Sequence, residues 1–364
     1  MKKYLYITLA AFVGLSSATL TSCSGESNDE PTTDPSTTTA ITLTVDKPTI
    51  EANNSEVATF KVVNQDGVDI TTVKGTTFMN NSDNSISQVP TVTAFENGAV
   101  SYNARFNGIR SNVVTVTGAN RKNYEKYYRK IAVFQATGTW CVNCPGMGEV
   151  LSEVEKNYLT GRMVRMTFHQ GTQGQSDPFE VPQTEELFNG GFGLNGYPSG
   201  VVDMRKGLPQ MRTAPGFASV MKESMRDYPA TCGIRINSAV SGNVANVTTE
   251  ITFDKAGKYS IAGAILVDNL KADQAGADKN YRHNNTVRAI FGSSKGALVG
   301  GLIGTKEAGS TYSQPFTITL NANEPIEDTR VVIYVLKEDT TGKFYVNNVA
   351  VCPVVGSVDY KLND

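Results

Sequence analysis

Ile131-Ala132-Val133-Phe134-Gln135-Ala136-Thr137-Gly138-Thr139-Trp140-Cys141-Val142-Asn143-Cys144-Pro145 is a compact apolar run, a Thr-Gly-Thr break, a tryptophan and two cysteines separated by two residues. The apolar run reads as a buried strand. A helix should follow, because Met147, Val150, Leu151, Val154 and Tyr158 recur at three- and four-residue steps. The cysteines therefore sit at a strand-to-helix corner. With a helix beginning near Cys141, unsatisfied N–H groups and the positive dipole end favour a thiolate there. Cys144, one turn later, comes within disulfide reach. Cys141 is then the nucleophile and Cys144 the resolving thiol. Two other readings compete: a permanent structural disulfide, or half of a zinc site. Zinc would need two further ligands from Cys232, Cys352, His169 and His283, none of which forms a second close pair.

Downstream, strand and helix signals alternate. Arg162 to His169 reads as a second strand, Pro182 to Phe188 as a short helix, Ser199 to Met204 as a third strand and Phe217 to Tyr228 as a last helix. That order implies an α/β layer with parallel pairs over residues 124–228. From residue 231 to 364 the pattern is β again, in runs such as Val247 to Phe253, Tyr259 to Val267, Gln314 to Leu320, Arg330 to Leu336 and Lys343 to Cys352. A C-terminal sandwich-like β domain is expected there. Upstream, residues 40–118 carry short alternating strands, including Ile41 to Val45, Val57 to Val62 and Val113 to Thr117, with a hairpin signal at Asp66-Gly67. They predict a small β-sandwich.

The first residues decide the compartment. Lys2 and Lys3 precede a run from Tyr4 to Leu20 that polar and small residues dilute, and Leu20-Thr21-Ser22-Cys23 follows. Such a run spans a bilayer poorly and reads as a signal peptide over residues 1–22. Residues 24–39 are almost all Ser, Thr, Pro, Gly and acid with no large apolar side chain, so residues 23–39 read as a flexible tether. Charge excludes one function class: 33 Lys+Arg against 35 Asp+Glu, a net −2, offers no footprint for a nucleic-acid backbone. The chain has only two histidines, His169 and His283, too few for a multi-histidine metal centre.

Several motifs carry resemblances. The Leu-Thr-Ser-Cys end of the apolar run resembles a bacterial lipoprotein signal, which implies lipidation of Cys23. Ser24 with the nearby acids Glu26, Asp29 and Glu30 is similar to the outer-membrane export pattern of Bacteroidota lipoproteins. Residues 41–71 resemble bacterial immunoglobulin-like domains, which implies a spacer or adhesive module. The strand, the Trp-Cys-x-x-Cys corner, the long helix and Tyr197-Pro198 before a strand resemble a thioredoxin fold. By that resemblance Pro198 is the cis-proline beside the dithiol and Tyr197 borders the substrate, while Gln135 stands where thioredoxins usually carry a buried acid. Thr137-Gly138-Thr139-Trp140-Cys141, Asp177-Pro178-Phe179, Gly196-Tyr197-Pro198 and His283-Asn284-Asn285-Thr286-Val287-Arg288 resemble the Bacteroidota twenty-eight kilodalton outer-membrane protein related family. Its members are lipoproteins with a thioredoxin-like part and a β C-terminal part.

The remaining cysteines, Cys232 and Cys352, are the only pair left outside the lipid and redox positions. A structural disulfide is the economical reading for an exported chain, with two buried free thiols as the alternative. His169 follows an apolar strand and either caps its edge or approaches the dithiol; His283 with Arg288 ends a strand or loop, or forms a binding site. The functional expectation is a lipid-anchored outer-membrane thiol–disulfide oxidoreductase with Trp140, Cys141, Cys144 and Pro198 at the reacting centre. It would act on exported protein thiols and disulfides or on small thiols, with a redox partner protein. No diffusible cofactor or metal is called for, since the two sulfurs hold the electrons. The alternative is a surface binding or adhesion protein that uses the thioredoxin-like part as a scaffold.

Overall fold

The computed structural model describes residues 37–209, 213–293 and 296–364. The signal peptide, Cys23 and nearly all of the tether lie outside the described residues. The chain is a multidomain, β-rich protein. Its N-terminal part is built from β1 (Ile41–Val45), β2 (Thr49–Glu51), β3 (Val57–Asn64), β4 (Thr77–Asn80), β5 (Ile86–Ser87), β6 (Thr91–Thr93), β7 (Gly98–Phe106) and β8 (Ile109–Ala119). A three-stranded sheet, β1-β3-β6, and a five-stranded sheet, β2-β8-β7-β4-β5, enclose one core. In β3 every second residue is buried, as one-sided packing requires. Phe60 of that strand stacks on Phe78 of the other sheet at 5.3 Å.

The middle of the chain supplies β9 (Ile131–Thr137), α1 (Cys144–Asn157), β10 (Met163–His169), α2 (Gln183–Asn189), β11 (Ser199–Val202), β12 (Lys206–Gly207) and α3 (Ala214–Asp227). The C-terminal part supplies β13 (Cys232–Ser241), β14 (Val244–Phe253), β15 (Gly257–Val267), β16 (Thr286–Phe291), β17 (Gly301–Lys306), β18 (Thr311–Thr319), β19 (Thr329–Glu338), β20 (Phe344–Pro353) and β21 (Gly356–Val358). Strands from both parts join one nine-stranded sheet, ordered β12-β11-β9-β10-β16-β15-β19-β20 with β17 beside β15. The sheet thus crosses the boundary expected between residues 228 and 231. Only β9–β10 and β10–β16 run parallel within it; β11 lies antiparallel to β9 rather than in the expected parallel sense.

Alternation explains how one sheet serves three cores. In β9, Ala132, Phe134 and Ala136 point to one face, and Ile131 and Val133 to the other. The first face is shared with Ala262, Ala264 and Leu266 of β15 and with Val332, Tyr334 and Leu336 of β19. On the opposite face, α1 and α3 cover the β9 end through Met147, Leu151, Val154, Phe217, Ala218 and Met221. Beside them, Ile261, Ile265, Val331 and Ile333 pack on β13 and β14 of a second, four-stranded sheet, β18-β14-β13-β21. Because both faces of β9 and β15 are covered, those strands are apolar almost throughout instead of alternating in sequence.

The disulfide expected between Cys232 and Cys352 is absent: both thiols are free and buried. The carbonyl of Cys232 accepts from Asn348 Nδ2 at 2.9 Å, so Cys232 lies beside that point of β20. Cys352 is four residues further along the strand, about 13 Å at 3.3 Å per residue, beyond the span of a disulfide. Burial pushes the Cys232 thiol up to about 12, which keeps it protonated and unreactive.

Candidate functional site

The register of the sheet gathers the site at one strand end. Thr137 ends β9 and pairs with His169 at the end of β10. Ser199 pairs with Ala136, which sets Pro198 level with Thr137 on the other side. The backbone N–H of Thr167 donates to the carbonyl of Asn285, bringing in the loop between β15 and β16. From this edge the chain leaves β9 and turns through Gly138 to Asn143 into α1, which begins at Cys144 and not near Cys141 as expected. Cys141 donates its N–H to the carbonyl of Gly138, and Cys144 donates to that of Cys141, so a tight turn holds the first cysteine just ahead of the helix. The two sulfurs are bonded, with Cα atoms 5.4 Å apart.

Aromatic and polar side chains fix the corner. Trp140 donates Nε1–H to the carbonyl of Gln170 at 2.8 Å and meets the Tyr197 ring edge-on at 5.2 Å. Tyr197 hydrogen-bonds Gln170 Oε1, and burial pushes its phenol up to about 12, so it remains a neutral hydroxyl. The Tyr197–Pro198 peptide is cis. Gly138 has no room for a side chain, since a Cβ there would lie 2.4 Å from Trp140 Nε1 and 2.9 Å from the Gln170 carbonyl oxygen.

A strap from the C-terminal part lies over this turn. Gln274 donates Nε2–H to the carbonyls of Cys141 (3.0 Å) and Gly138 (3.3 Å), and Ala275 N–H donates to the carbonyl of Thr139 at 2.8 Å. Under it Cys141 is 5% and Cys144 3% exposed, while Val142 between them is 64% exposed. Gly276 makes the fit possible: its φ is +79°, and a Cβ would come within 2.3 Å of the Val142 carbonyl oxygen. Gly276→Val should lift the strap, and alkylation of Cys141 in the reduced protein should then speed up about tenfold or more. An unchanged alkylation rate would show that the strap does not limit access.

On the Cys144 side lies a cavity of about 360 Å³ whose lining includes Cys144, Gln135, Thr167, His169, His283 and Gln274. Gln135 is 2% exposed, and its Oε1 has no hydrogen-bond partner; the Thr167 hydroxyl, also buried, has none either. His169 holds Asp177 through Nδ1–Oδ2 at 3.0 Å, and the His169 and His283 rings meet at 5.2 Å. Asp177 also accepts from Thr139 N–H (2.7 Å) and Phe179 N–H (2.8 Å). Burial raises its carboxyl pKa, but the His169 contact and these two donors outweigh that and hold it below the ordinary carboxylate value. Burial first, and the neighbouring His169 second, push His283 down to about 4, so it is neutral at pH 7.

The structure thus brings Trp140, Cys141, Cys144, Tyr197 and Pro198 to one strand end and adds both histidines. Arg288 does not join them: it pairs with Glu324 and stands over the Phe179 ring. Sequence reasoning assigned no role to Asp177, Gln274, Arg165 or Tyr281. They are scattered along the chain, and only the quoted Asp177-Pro178-Phe179 motif marked one of them. Among the described residues no group of His, Cys, Asp and Glu could hold a metal ion.

Residues 185–354 match the family model described as outer membrane protein Omp28. That match supports an outer-membrane location. It covers Tyr197, Pro198 and His283 but starts downstream of Cys141 and Cys144. HBP35 of Porphyromonas gingivalis is similar with a TM-score of 0.54 at 19% identity, over 63% of this chain and 76% of that one, a likeness of fold alone. A structure of an Agrobacterium tumefaciens protein aligns with a TM-score of 0.44 at 15% identity, over 62% of this chain and 95% of its own. No curated protein matches the chain.

Proposed function

We propose that this outer-membrane protein exchanges electrons between thiols and disulfides through Cys141 and Cys144, on a thioredoxin-like arrangement of β9, α1, β10 and β11. The observation that carries this reading is the bonded Cys141–Cys144 pair at a strand-to-helix corner, flanked by Trp140, Tyr197–Pro198 and a polar cavity. Asn143 makes no side-chain cap, so its side chain does not compete for the positive N-terminal end of α1, which lies just after Cys141 and favours a thiolate there. In the reduced state the Cys141 thiolate attacks a substrate disulfide, forming a mixed disulfide and releasing one substrate thiol. Cys144 then attacks Cys141, restoring the internal disulfide and releasing the second thiol, so two electrons pass to the substrate. A dithiol partner or small thiols reverse the step. Substrates are exported protein disulfides or small thiols. Lipidation at Cys23 would anchor the chain, and the N-terminal sandwich, read as immunoglobulin-like, would act as a spacer.

The burial of both sulfurs beneath Gln274 favours a second reading, a scaffold with a permanent disulfide that binds another envelope component. Titration of the purified protein with glutathione and dithiothreitol separates the two. Exchange predicts reversible reduction near −200 mV, the poise of oxidising compartments, and capture of mixed disulfides by Cys144→Ser but not by Cys141→Ser. A pair that stays oxidised in millimolar dithiothreitol, with nothing captured, would leave only the scaffold.

A further inference from the structure

The second thiol must lose its proton before it can resolve the mixed disulfide. Gln135, the buried polar side chain of β9 that lines the cavity with Cys144, cannot take it, because an amide does not titrate. We propose that His169 is the proton acceptor for Cys144, with Asp177 as its positioning residue. This deepens the exchange reading above and rests on it.

The geometry assigns the roles. The Asp177 carboxylate can only accept, so Nδ1 of His169 carries the hydrogen of the 3.0 Å bond and Nε2 is left as a base. The imidazolium formed when Nε2 takes a proton is stabilised by the same carboxylate, which two backbone N–H groups hold in place. His169 and Cys144 line one cavity, which has room for a water to carry the proton between them. Every other titratable group facing His169 is less suited. His283 is neutral, its Nε2 set 3.3 Å from the Ala272 carbonyl, and it is pushed down to about 4. Burial raises the Tyr281 phenol. Arg165 and Arg282 have no acceptor, and Glu149 is exposed at the rim. Glu180, bridged through its backbone to His169, is exposed as well, and Arg288 is paired with Glu324 over the Phe179 ring.

The step balances. Nε2 takes the Cys144 proton, and the new thiolate attacks the Cys141 sulfur. The bond from Cys141 to the substrate sulfur breaks, and the leaving thiolate takes the proton back from the imidazolium or from solvent. Two protein thiols are oxidised and one substrate disulfide is reduced.

The test is the reaction of reduced full-length protein with one equivalent of dithiobisnitrobenzoate, which releases one coloured thiolate when Cys141 attacks and a second when Cys144 resolves. In His169→Ala the second release should slow about 100-fold or more at pH 7, far more than the first, with the far-UV spectrum retained. Added imidazole should restore part of the lost rate. Asp177→Asn should slow the second release less and shift its pH midpoint. A second-release rate in His169→Ala within about twofold of wild type, or a loss that imidazole does not relieve, overturns the proposal. If wild-type protein releases no colour in either phase, exchange itself fails and this step with it; a loss confined to the second phase, rescued by imidazole, belongs to His169 alone.

Discussion

Asp203→Ala should lower the unfolding free energy by about 3 to 5 kcal/mol, read from urea denaturation. Asp203 and Arg129 form an ion pair whose side chains are 0% and 1% exposed. The carboxylate also accepts from Ala132 N–H at 3.0 Å and from the Ser224 hydroxyl at 2.8 Å. The guanidinium donates to the carbonyls of Asn347 and Tyr228. One pair thus ties the start of β9, the end of β11, α3 and β20 together. Removing the carboxylate strands a buried guanidinium and two donors, which is costlier than the intact pair is stabilising. The double variant Arg129→Met with Asp203→Asn should recover part of the loss: it removes both charges, and Asn tolerates the left-handed φ of +51° at this position. A single-variant loss below about 1 kcal/mol would mean that water replaces the bridge and that it does not hold these elements together.

Phe134→Ala should cost a similar amount, about 3 to 5 kcal/mol, and should be felt in both the middle and the C-terminal parts of the chain. The Phe134 ring is fully buried, 6.0 Å from Phe168 of β10 and edge-on to Tyr334 of β19 at 5.5 Å. Its removal opens a cavity in the core that the middle and C-terminal parts share. Native-state hydrogen exchange is the measurement. Amides of β9 and β10 and those of β15 and β19 should lose protection together, since one cooperative unit spans them. Lost protection confined to residues 131–227, with β15 and β19 unchanged, would show that the two parts unfold independently despite their common sheet.

How far the chain could be read in advance depended on the range of the interactions. The periodicity of Met147, Leu151 and Val154 locates α1 because a helix pairs with itself. Tyr259 to Val267 and Arg330 to Leu336 locate β15 and β19 because their apolar runs are local. Nothing local says that β16 will lie beside β10, so the boundary drawn at residues 228 and 231 missed the continuous sheet. The same limit produced the error over Cys232 and Cys352. Elimination named them as a pair, but register along β20 keeps them apart. The position of β11 beside β9 was legible only as a strand after Tyr197-Pro198; its antiparallel sense follows from a connection that reverses the chain.

At the site, Trp140, Cys141 and Cys144 were legible because two cysteines two residues apart at a strand-to-helix corner have few uses. Local pattern therefore determined that this chain carries a dithiol corner between β-rich flanks. Tertiary structure alone decided what surrounds that corner: Gln274 and Gly276 roof it from more than a hundred residues away, and Asp177 holds His169 by its Nδ1. Helix and strand signals arise from neighbours a few residues apart. A strap or a proton acceptor is set by contacts between distant segments, which exist only once the sheet has chosen its register.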